Sequence, residues 1–533
     1  MEHQQKNVWR LNVCLTILVL ASYALFLGHK IDLSISDLGR HLQNGRMVLV
    51  ERTIPATNFY SYTEPAFPAP NHHWGSGAFF FLVWQIGGFN ALHLFFIALS
   101  LATLLIFFLI AARSVGYAPA SVLALIALPL LAERTEIRPE VFSYLLCGLF
   151  FSMLIRWRET RDWRLLAALP LLEILWVNLH IYFFLGPALI GAFLVENLLR
   201  AWLKAERSSA ALAPTPKSLV WGLAAALGIT AAATLLNPFG IHGALAPLTI
   251  FENYGYRIAE NQSVWFVEGI LRNPNYTIFK IAFGLLATAF IGRLFLQKKS
   301  ISWAYILIAI AMSIVAWLAI RNFALFGFFF IPLAAHALAP LKTHYLKHAR
   351  AYAAGAATAI ALLMAPALFG QWQKYFPYWR ERGIGLETGN DAAADFFRAQ
   401  KLTGPIFNNY DIGGYLIFHL FPAERVFVDN RPEAYSVPFF TETYIPMQED
   451  DTRWQKELAK RDFNVIFFSW RDATPWAQKF LVARIQDPLW APVFADRHVL
   501  ILLKRIDKNK AVIERFELPA ETFHVIDTMT QQP

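Results

Sequence analysis

Long apolar runs separated by short polar connections dominate residues 1–370. A helix that crosses a membrane needs roughly 20 mostly apolar residues, and these runs predict about eleven such helices. The predicted spans lie near residues 9–28, 89–112, 117–132, 139–156, 163–180, 181–199, 218–236, 276–294, 301–319, 322–340 and 351–369. The first run lacks a small-residue cleavage site after it, so we expect a retained helix and not a signal peptide. Residues 78–86 are too short to span, end at Gly87-Gly88, and predict a helix on the membrane surface.

The tail, residues 371–533, follows a different pattern. Strand-like runs ("RVFVD", "NVIFFSW", "HVLILLKR") alternate with helical ones ("DAAADFFRAQ", "WQKELAKR"). This alternation predicts a small α/β domain, and roughly 160 residues are enough for a separate core. We therefore predict a transmembrane module over 1–370, with outer loops at 30–76 and 237–275, and a soluble domain over 371–533.

Composition and charge support a membrane protein. The chain is 56% hydrophobic and 16% charged, whereas a soluble domain has about 25% charged residues. The net charge of +9 fits an excess of Lys and Arg in cytoplasmic loops, so we predict no nucleic-acid partner. The distribution of basic residues places the N-terminus in the cytoplasm and the tail outside it. Cys14 and Cys147 lie in apolar runs and predict neither a disulfide framework nor a zinc site.

Polar residues gather at the predicted outer ends of the helices. Because ionisable groups at membrane depth are costly, they usually face a cavity or each other. The pattern therefore predicts one polar cavity that opens outward. Its candidate residues are Asp37, Arg40, His41, His72, His73, Glu133, Arg138, Asn178, His180, Glu260 and Arg321.

Several of these positions also fit structural roles. His72 and His73 fit a wet loop, and Arg134 and Glu136 fit solvated loop charges. Asn178 and His180 fit a satisfied pair, while Arg321 fits either a boundary charge or a phosphate contact. These alternatives remain open at the level of sequence.

Two positions have a local geometry that suggests chemistry. Arg138 precedes Pro139, and because Pro favours the first turn of a helix, the guanidinium is expected near a helix N-terminus, where it suits an anionic head group. His41 follows Asp37 by four residues, so a helix here would bring the two side chains to one face as an acid–histidine pair. The sequence has no phosphate-cradling glycine loop, HExxH or GxSxG motif, and an ATP-driven pump is unsupported.

The order of the polar motifs resembles a known superfamily. The motifs are "SDLGRHLQNGRMVLVERTIPATNFYSYT", "NHHWGSG", "IRPEVFSYLL", "WVNLH", "LLNPFG", "RNFALFGFFFIPL", "IFNNYDIGGYLIFHL" and "RVFVDNRPEAY". Together they resemble the C-type (GT-C) glycosyltransferases, and more narrowly a bacterial branch of them. The resemblance implies a helical polytopic membrane enzyme with an outward active site and an extracytoplasmic C-terminal domain.

The resemblance also implies roles for individual residues. It singles out Asp37 as the general base that deprotonates an acceptor hydroxyl. Arg138, Arg321, Arg40 and His180 are then candidates to stabilise a leaving lipid phosphate. Asp37 has no adjacent acid, so the role of a second carboxylate is open to Glu133, Glu136 or Glu260. A divalent metal ion is open as a cofactor, since no spacing identifies its ligands.

The resulting hypothesis is a glycosyltransferase of the bacterial inner membrane. It would transfer a sugar from a polyprenyl-phosphate-linked donor to a glycan, lipid or protein acceptor on the outer face. The alternative is a non-catalytic protein that binds, flips or transports a lipid-linked glycan in the same cavity. In the tail, a strand-like run is followed by Asp429, Asn430 and Arg431. For this motif we favour a structural role, bracing the domain, over sugar binding.

Overall fold

The structure, a computed structural model, describes residues 2–206, 217–249, 252–296, 302–342, 348–368 and 381–523. The chain divides into two compact units. We call the first the bundle unit; it comprises Met1–Lys30, Ala91–Ile250 and Arg257–Ile384. We call the second the sheet unit; it comprises Ile31–Asn90, Phe251–Tyr256 and Gly385–Pro533.

Helices form most of the described chain before the tail. In order they are α1 (Glu2–Leu27), α2 (Leu38–Leu49), α3 (Trp74–Val115), α4 (Tyr117–Leu131), α5 (Glu140–Thr160), α6 (Trp163–Leu179), α7 (Leu185–Glu206), α8 (Lys217–Ala233), α9 (Gly240–Thr249), α10 (Val264–Glu268), α11 (Pro274–Leu296), α12 (Trp303–Leu318), α13 (Phe323–Leu338) and α14 (Ala349–Leu368). A single 3₁₀ turn, Ile181–Phe184, joins α6 to α7. Every predicted span has a helix at its position.

Six helical segments of the described residues are long and apolar enough to cross a membrane. They are Val8–Leu27, Trp74–Val115, Glu140–Thr160, Ile181–Trp202, Pro274–Phe295 and Ile320–Leu341. Other helices of the described residues are also apolar but shorter: Tyr117–Leu131, Lys217–Ala233, Trp303–Leu318 and Ala351–Leu362. The chain is therefore a multi-pass membrane protein. The total of about eleven spans was predicted from the length of the apolar runs and stays a prediction.

Helix α3 is interrupted where the sequence predicted a break. Gly87 and Gly88 leave helical geometry, and Gly88 has a φ of 61° and a ψ of −154°, a conformation open in practice only to glycine. The piece before the break starts at Trp74 and belongs to the sheet unit.

The predicted outer loop also belongs to the sheet unit, because it bonds to the tail. Ile31 N donates to Gly385 O at 2.8 Å, and the Tyr62 hydroxyl donates to Ile406 O at 2.6 Å. Contacts thus group residues 31–90 with the tail and not with the helical bundle. The predicted boundary at 370/371 lies outside the described residues.

The tail is an α/β structure, as predicted. A four-stranded sheet has the order β1-β2-β4-β3, with β1 parallel to β2 and the other pairs antiparallel. The strands are β1 (Ile406–Asn408), β2 (Val465–Ser469), β3 (Trp490–Ala495) and β4 (Val499–Lys504). The helices are α15 (Ala392–Ala399), α16 (Gly413–Leu420), α17 (Pro446–Glu449), α18 (Asp451–Arg461), α19 (Pro475–Gln486) and α20 (Lys510–Phe516).

One predicted strand, "RVFVD", is wrong. Its Val426 makes only an isolated bridge to Ser61. Side chains bind the neighbouring backbone instead: Phe427 N donates to the Asn408 side chain at 2.8 Å, and the Asn408 amide donates to Val428 O at 2.7 Å. The segment is buried and apolar like a strand, but side chains bind backbone groups that a neighbouring strand would otherwise pair with.

Glycine contacts hold α2, the helix that follows Asp37, between two neighbours. A Cβ on Gly39 would lie 2.6 Å from Gly414 O of α16, and a Cβ on Gly45 would lie 2.1 Å from Gly77 O of α3. Both distances are too short for any larger residue. Almost the whole of α2 is therefore buried, and the position of Asp37 is set by close backbone packing.

Replacing Gly45 with Ala should destabilise the protein, although Ala favours a helix by up to about 1 kcal/mol. The added methyl meets the Gly77 backbone and Phe81, and overpacking of this kind costs about 1–3 kcal/mol. Thermal unfolding in detergent measures the effect. Gly191→Ala is the control, because a Cβ added to this helical glycine would meet no atom within 4 Å outside its own helix backbone and chain neighbours. This variant should be as stable as the wild type or more stable. A Gly45→Ala protein as stable as this control would contradict the packing argument.

Candidate functional site

Asp37 lies at the start of α2, where the tail contacts it. Its Oδ1 accepts a hydrogen bond from the Asn430 amide, and the Asn430 oxygen accepts one from Arg40 Nε at 3.3 Å. Asp37 is half-buried and Arg40 is buried. One amide therefore links the predicted base to the predicted cation, and it holds one carboxylate oxygen of Asp37 in place.

The loop that carries Asn430 is braced by a buried ion pair. Arg431 Nε and Nη2 bind the two oxygens of Asp429, each at 2.7 Å, and Nη2 also donates to Asn58 at 2.7 Å. Asp429 N and one of its oxygens bind the Tyr435 hydroxyl. Asp429 is fully buried. This arrangement fits the bracing role favoured for the motif, because the Asp429 carboxylate and the Arg431 guanidinium bind each other within the loop.

Two candidate histidines of the sheet unit, His41 in α2 and His73, lie near each other. The rings of His41 and His73 lie 6.0 Å apart. Burial lowers the pKa of His72 below its ordinary value, which favours a neutral ring at pH 7. The acid–histidine pair between Asp37 and His41 stays a prediction.

Three arginines and three glutamates meet in the bundle unit; they come from the connection before α5, the start of α5, the loop before α10 and the turn between α12 and α13. Arg134 donates through Nε and Nη2 to the two oxygens of Glu140 and through Nη1 to Glu260. Arg138 donates to Glu136 at 2.8 Å and to Glu260 at 3.0 Å. Arg134 is 9% exposed, so it is not the solvated loop charge that the sequence allowed.

Glu260 is the centre of this cluster. Burial alone would raise the pKa of Glu260, but the positive charges of Arg134, Arg138 and Arg321 outweigh burial and hold that pKa well below its ordinary value. For Arg134, burial is likewise outweighed by the two carboxylates, which raise its pKa well above the usual range. The cluster is thus ionised at neutral pH, and Glu260 is suited to charge compensation and not to donating a proton.

Arg321 is held more loosely than the other two arginines. Its nitrogens lie 3.7 Å from Glu140 and 3.9 Å from Glu260, and Nη1 donates to Asn261 at 2.9 Å. Its Nε has no hydrogen-bond partner among the described residues. Arg321 follows α12 and precedes α13, and the neighbouring Asn322 accepts from the Tyr182 hydroxyl at 3.0 Å. This guanidinium therefore keeps donor capacity for another anion.

The remaining candidates of the bundle unit make structural contacts. The Asn178 amide donates to Ile174 O and Leu236 O. His180 Nδ1 lies 2.8 Å from the Ser143 hydroxyl. Glu133 accepts from the amides of Asn273 and Asn275. These contacts fit the structural alternative for Asn178 and His180, and they show that Glu133 is already hydrogen-bonded.

The structure brings the candidates into separate groups within each unit. Arg138, Glu260 and Arg321 meet in the bundle unit, while Asp37 and Arg40 meet through Asn430 in the sheet unit. Their predicted convergence in one outward cavity stays a prediction. Sequence reasoning missed the link from Asn430 to Asp37, because 393 residues separate them and nothing local marks the contact.

The comparisons with known proteins bear on the fold. No family model matches the sequence, and a search of curated proteins finds no match. Among solved structures, archaeal oligosaccharyltransferase AglB from Archaeoglobus fulgidus, in complex with an inhibitory peptide and a dolichol-phosphate, is 12% identical, with a TM-score of 0.60 over 91% of this chain and 73% of its own.

Two further structures agree with this one. The apo oligosaccharyltransferase of Archaeoglobus fulgidus is 13% identical, with a TM-score of 0.55 over 88% of this chain and 71% of its own. Apo ArnT from Cupriavidus metallidurans is 16% identical, with a TM-score of 0.50 over 92% of this chain and 97% of its own. AglB and ArnT are both GT-C proteins. This chain therefore has a fold similar to that of these solved structures.

Proposed function

We propose that the protein is a glycosyltransferase that moves a sugar from a polyprenyl-phosphate donor to a hydroxyl-bearing acceptor, with Asp37 as general base. The acceptor is a glycan, lipid or protein on the outer face of a bacterial inner membrane, with the N-terminus cytoplasmic and the tail periplasmic. The GT-C fold supports the donor class, since one structural neighbour is in complex with dolichol-phosphate.

The arginine cluster carries the proposal for the donor. Arg134 and Arg138 are compensated by glutamates at hydrogen-bonding distance, whereas Arg321 faces its carboxylates at 3.7 and 3.9 Å. A guanidinium with unused donors suits a phosphate, because charge-assisted hydrogen bonds to phosphate are short and strong. The leaving phosphate gains charge as the glycosidic bond breaks, so a fixed cation stabilises the transition state more than the bound donor.

Asp37 supplies the other half of the reaction. Its carboxylate is half-buried and one oxygen is held by Asn430, and in this proposal the carboxylate accepts a proton from an acceptor hydroxyl. The hydroxyl oxygen then bonds to the anomeric carbon as the bond from that carbon to the phosphate oxygen breaks. The proton ends on Asp37 and the electron pair on the lipid phosphate. A positioned base of this type contributes about 10²–10⁴-fold to a rate.

Replacing Arg321 with Gln should weaken the use of the donor. A lost charge-assisted contact costs about 1.5–3 kcal/mol, which corresponds to roughly 10–150-fold in kcat/KM for the polyprenyl-phosphate sugar, because each 1.36 kcal/mol is tenfold. The measurement is transfer of a labelled sugar in membranes that contain the full chain. Arg272→Gln, at an exposed arginine of the same unit, is the control and should keep wild-type kinetics.

The same assay separates the proposal from its non-catalytic alternative. A flippase or glycan-binding protein would lose lipid-phosphate binding in Arg321→Gln but would be indifferent to Asp37→Asn. Loss of sugar transfer in both variants supports the enzyme. Unchanged donor kinetics in Arg321→Gln would remove the phosphate role from this cluster.

A further inference from the structure

A buried cluster of Asp32, Glu387 and His498 lies in the sheet unit, and none of the three has a part in the proposed transfer reaction. One ligand atom from each, two carboxylate oxygens and a ring nitrogen, lie within 4.8 Å of one another. The residues come from the loop after α1, the segment before α15 and the turn between β3 and β4. All three are buried. Three distant segments of chain thus meet at a set of groups that can bind metal.

Asp32 is oriented in the way that metal-binding carboxylates usually are. Its Oδ1 accepts three hydrogen bonds, from Ser34 N at 2.9 Å, Ser34 Oγ at 2.6 Å and Asn390 Nδ2 at 2.9 Å. Its Oδ2 faces His498 Nδ1 at 3.4 Å. Outer hydrogen bonds of this kind fix the direction of a ligand and are a regular part of metal sites.

His498 faces the second carboxylate with a nitrogen that has no hydrogen bond. Its Nε2 lacks a hydrogen-bond partner among the described residues, and the ring is 3% exposed. Glu387 Oε2 lies 3.7 Å from it, which is too long for a hydrogen bond. A single ion binds one nitrogen of this ring, and the three ligand atoms lie within 4.8 Å of one another. Ligands about 2.0–2.1 Å from a tetrahedral ion are about 3.3 Å apart, so the three groups would close by up to about 1.5 Å around an ion.

Two arginines supply positive charge to the cluster from outside. Arg471 donates to Asp32 at 2.9 Å, and Arg497 donates to Glu387 at 2.9 Å. Their side chains are 37% and 66% exposed, so each can move into water. A cation held among the buried ligands would compensate the same two carboxylates.

We propose that Asp32, Glu387 and His498 bind one divalent transition-metal ion, with Zn²⁺ the best match to a mixed imidazole and carboxylate set. The ion ties the loop that leads from α1 to α2 to the tail, and its role is to hold that loop in place. This inference does not depend on the proposed transferase activity.

Zinc content and affinity test the proposal on the purified full chain in detergent. The protein is treated with EDTA, desalted, loaded with Zn²⁺ and analysed for bound metal, and the affinity is measured by calorimetry. We expect one Zn²⁺ per chain. Glu387→Gln and His498→Gln should each lower the affinity by more than about 100-fold, because loss of an outer partner alone costs about 10–100-fold.

A second histidine of the sheet unit is the matched control. His419 is also buried but faces a single carboxylate, Asp391, at 3.4 Å, so His419→Gln should leave zinc affinity unchanged. Absence of zinc from the wild type, or equal affinity in His498→Gln, would each overturn the proposal.

Discussion

Replacing Asp37 with Asn should reduce sugar transfer by about 10²–10⁴-fold, the contribution of a positioned general base. The amide keeps the size of the carboxylate, and its oxygen still accepts the hydrogen bond that Asn430 donates to Asp37. We therefore expect normal insertion and folding, with the loss confined to kcat. KM for the polyprenyl-phosphate donor should change little, because the phosphate contacts are assigned to the arginines of the bundle unit.

The control for this experiment is Asp395→Asn, at a carboxylate of the sheet unit that is 65% exposed and pairs with Arg398. It should retain wild-type transfer. Both variants are assayed in membranes supplied with a labelled polyprenyl-phosphate sugar, and folding is followed by thermal unfolding. Full transfer by a folded Asp37→Asn protein would show that Asp37 is not the base.

The helices could be predicted because their signal is local. A run of about 20 apolar residues predicts a membrane span by its composition alone. The Gly87-Gly88 pair predicts the break in α3, because only glycine tolerates the backbone geometry found at Gly88. The same holds for β2 and β4, whose apolar runs are bounded by polar residues. Where a backbone is bound by side chains from elsewhere, as at Val426 to Val428, the local pattern predicted a strand that does not form.

The candidate site could be predicted only in part, because its contacts join distant segments. Position at helix ends selected Arg138, Glu260 and Arg321, but no pattern showed that Arg134 would be buried between two glutamates. No local pattern indicates Asp32, since its neighbours Glu387 and His498 lie hundreds of residues away in the sequence. Long-range polar contacts of this kind depend on tertiary packing, which periodicity does not encode.

Replacing Arg134 with Met should lower the free energy of unfolding by about 3–5 kcal/mol, the usual cost of removing one partner from a buried ion pair. Arg134 binds both oxygens of Glu140, which is 4% exposed, and also contacts Glu260. Without the guanidinium, the Glu140 carboxylate has no arginine at hydrogen-bonding distance among the described residues; Arg321 lies 3.7 Å away. The measurement is denaturant or thermal unfolding in detergent.

The double variant Arg134→Met/Glu140→Gln distinguishes a charge effect from loss of packing. Neutralising Glu140 removes the uncompensated buried charge, so the double variant should be more stable than Arg134→Met alone, and the coupling should exceed about 1 kcal/mol. The exposed pair Lys280–Glu268 of the same unit, with side chains 39% and 41% exposed, is the control, and Lys280→Met should cost about 0–1 kcal/mol. If Arg134→Met costs no more than this surface pair, the ion pair between Arg134 and Glu140 does not stabilise the bundle unit.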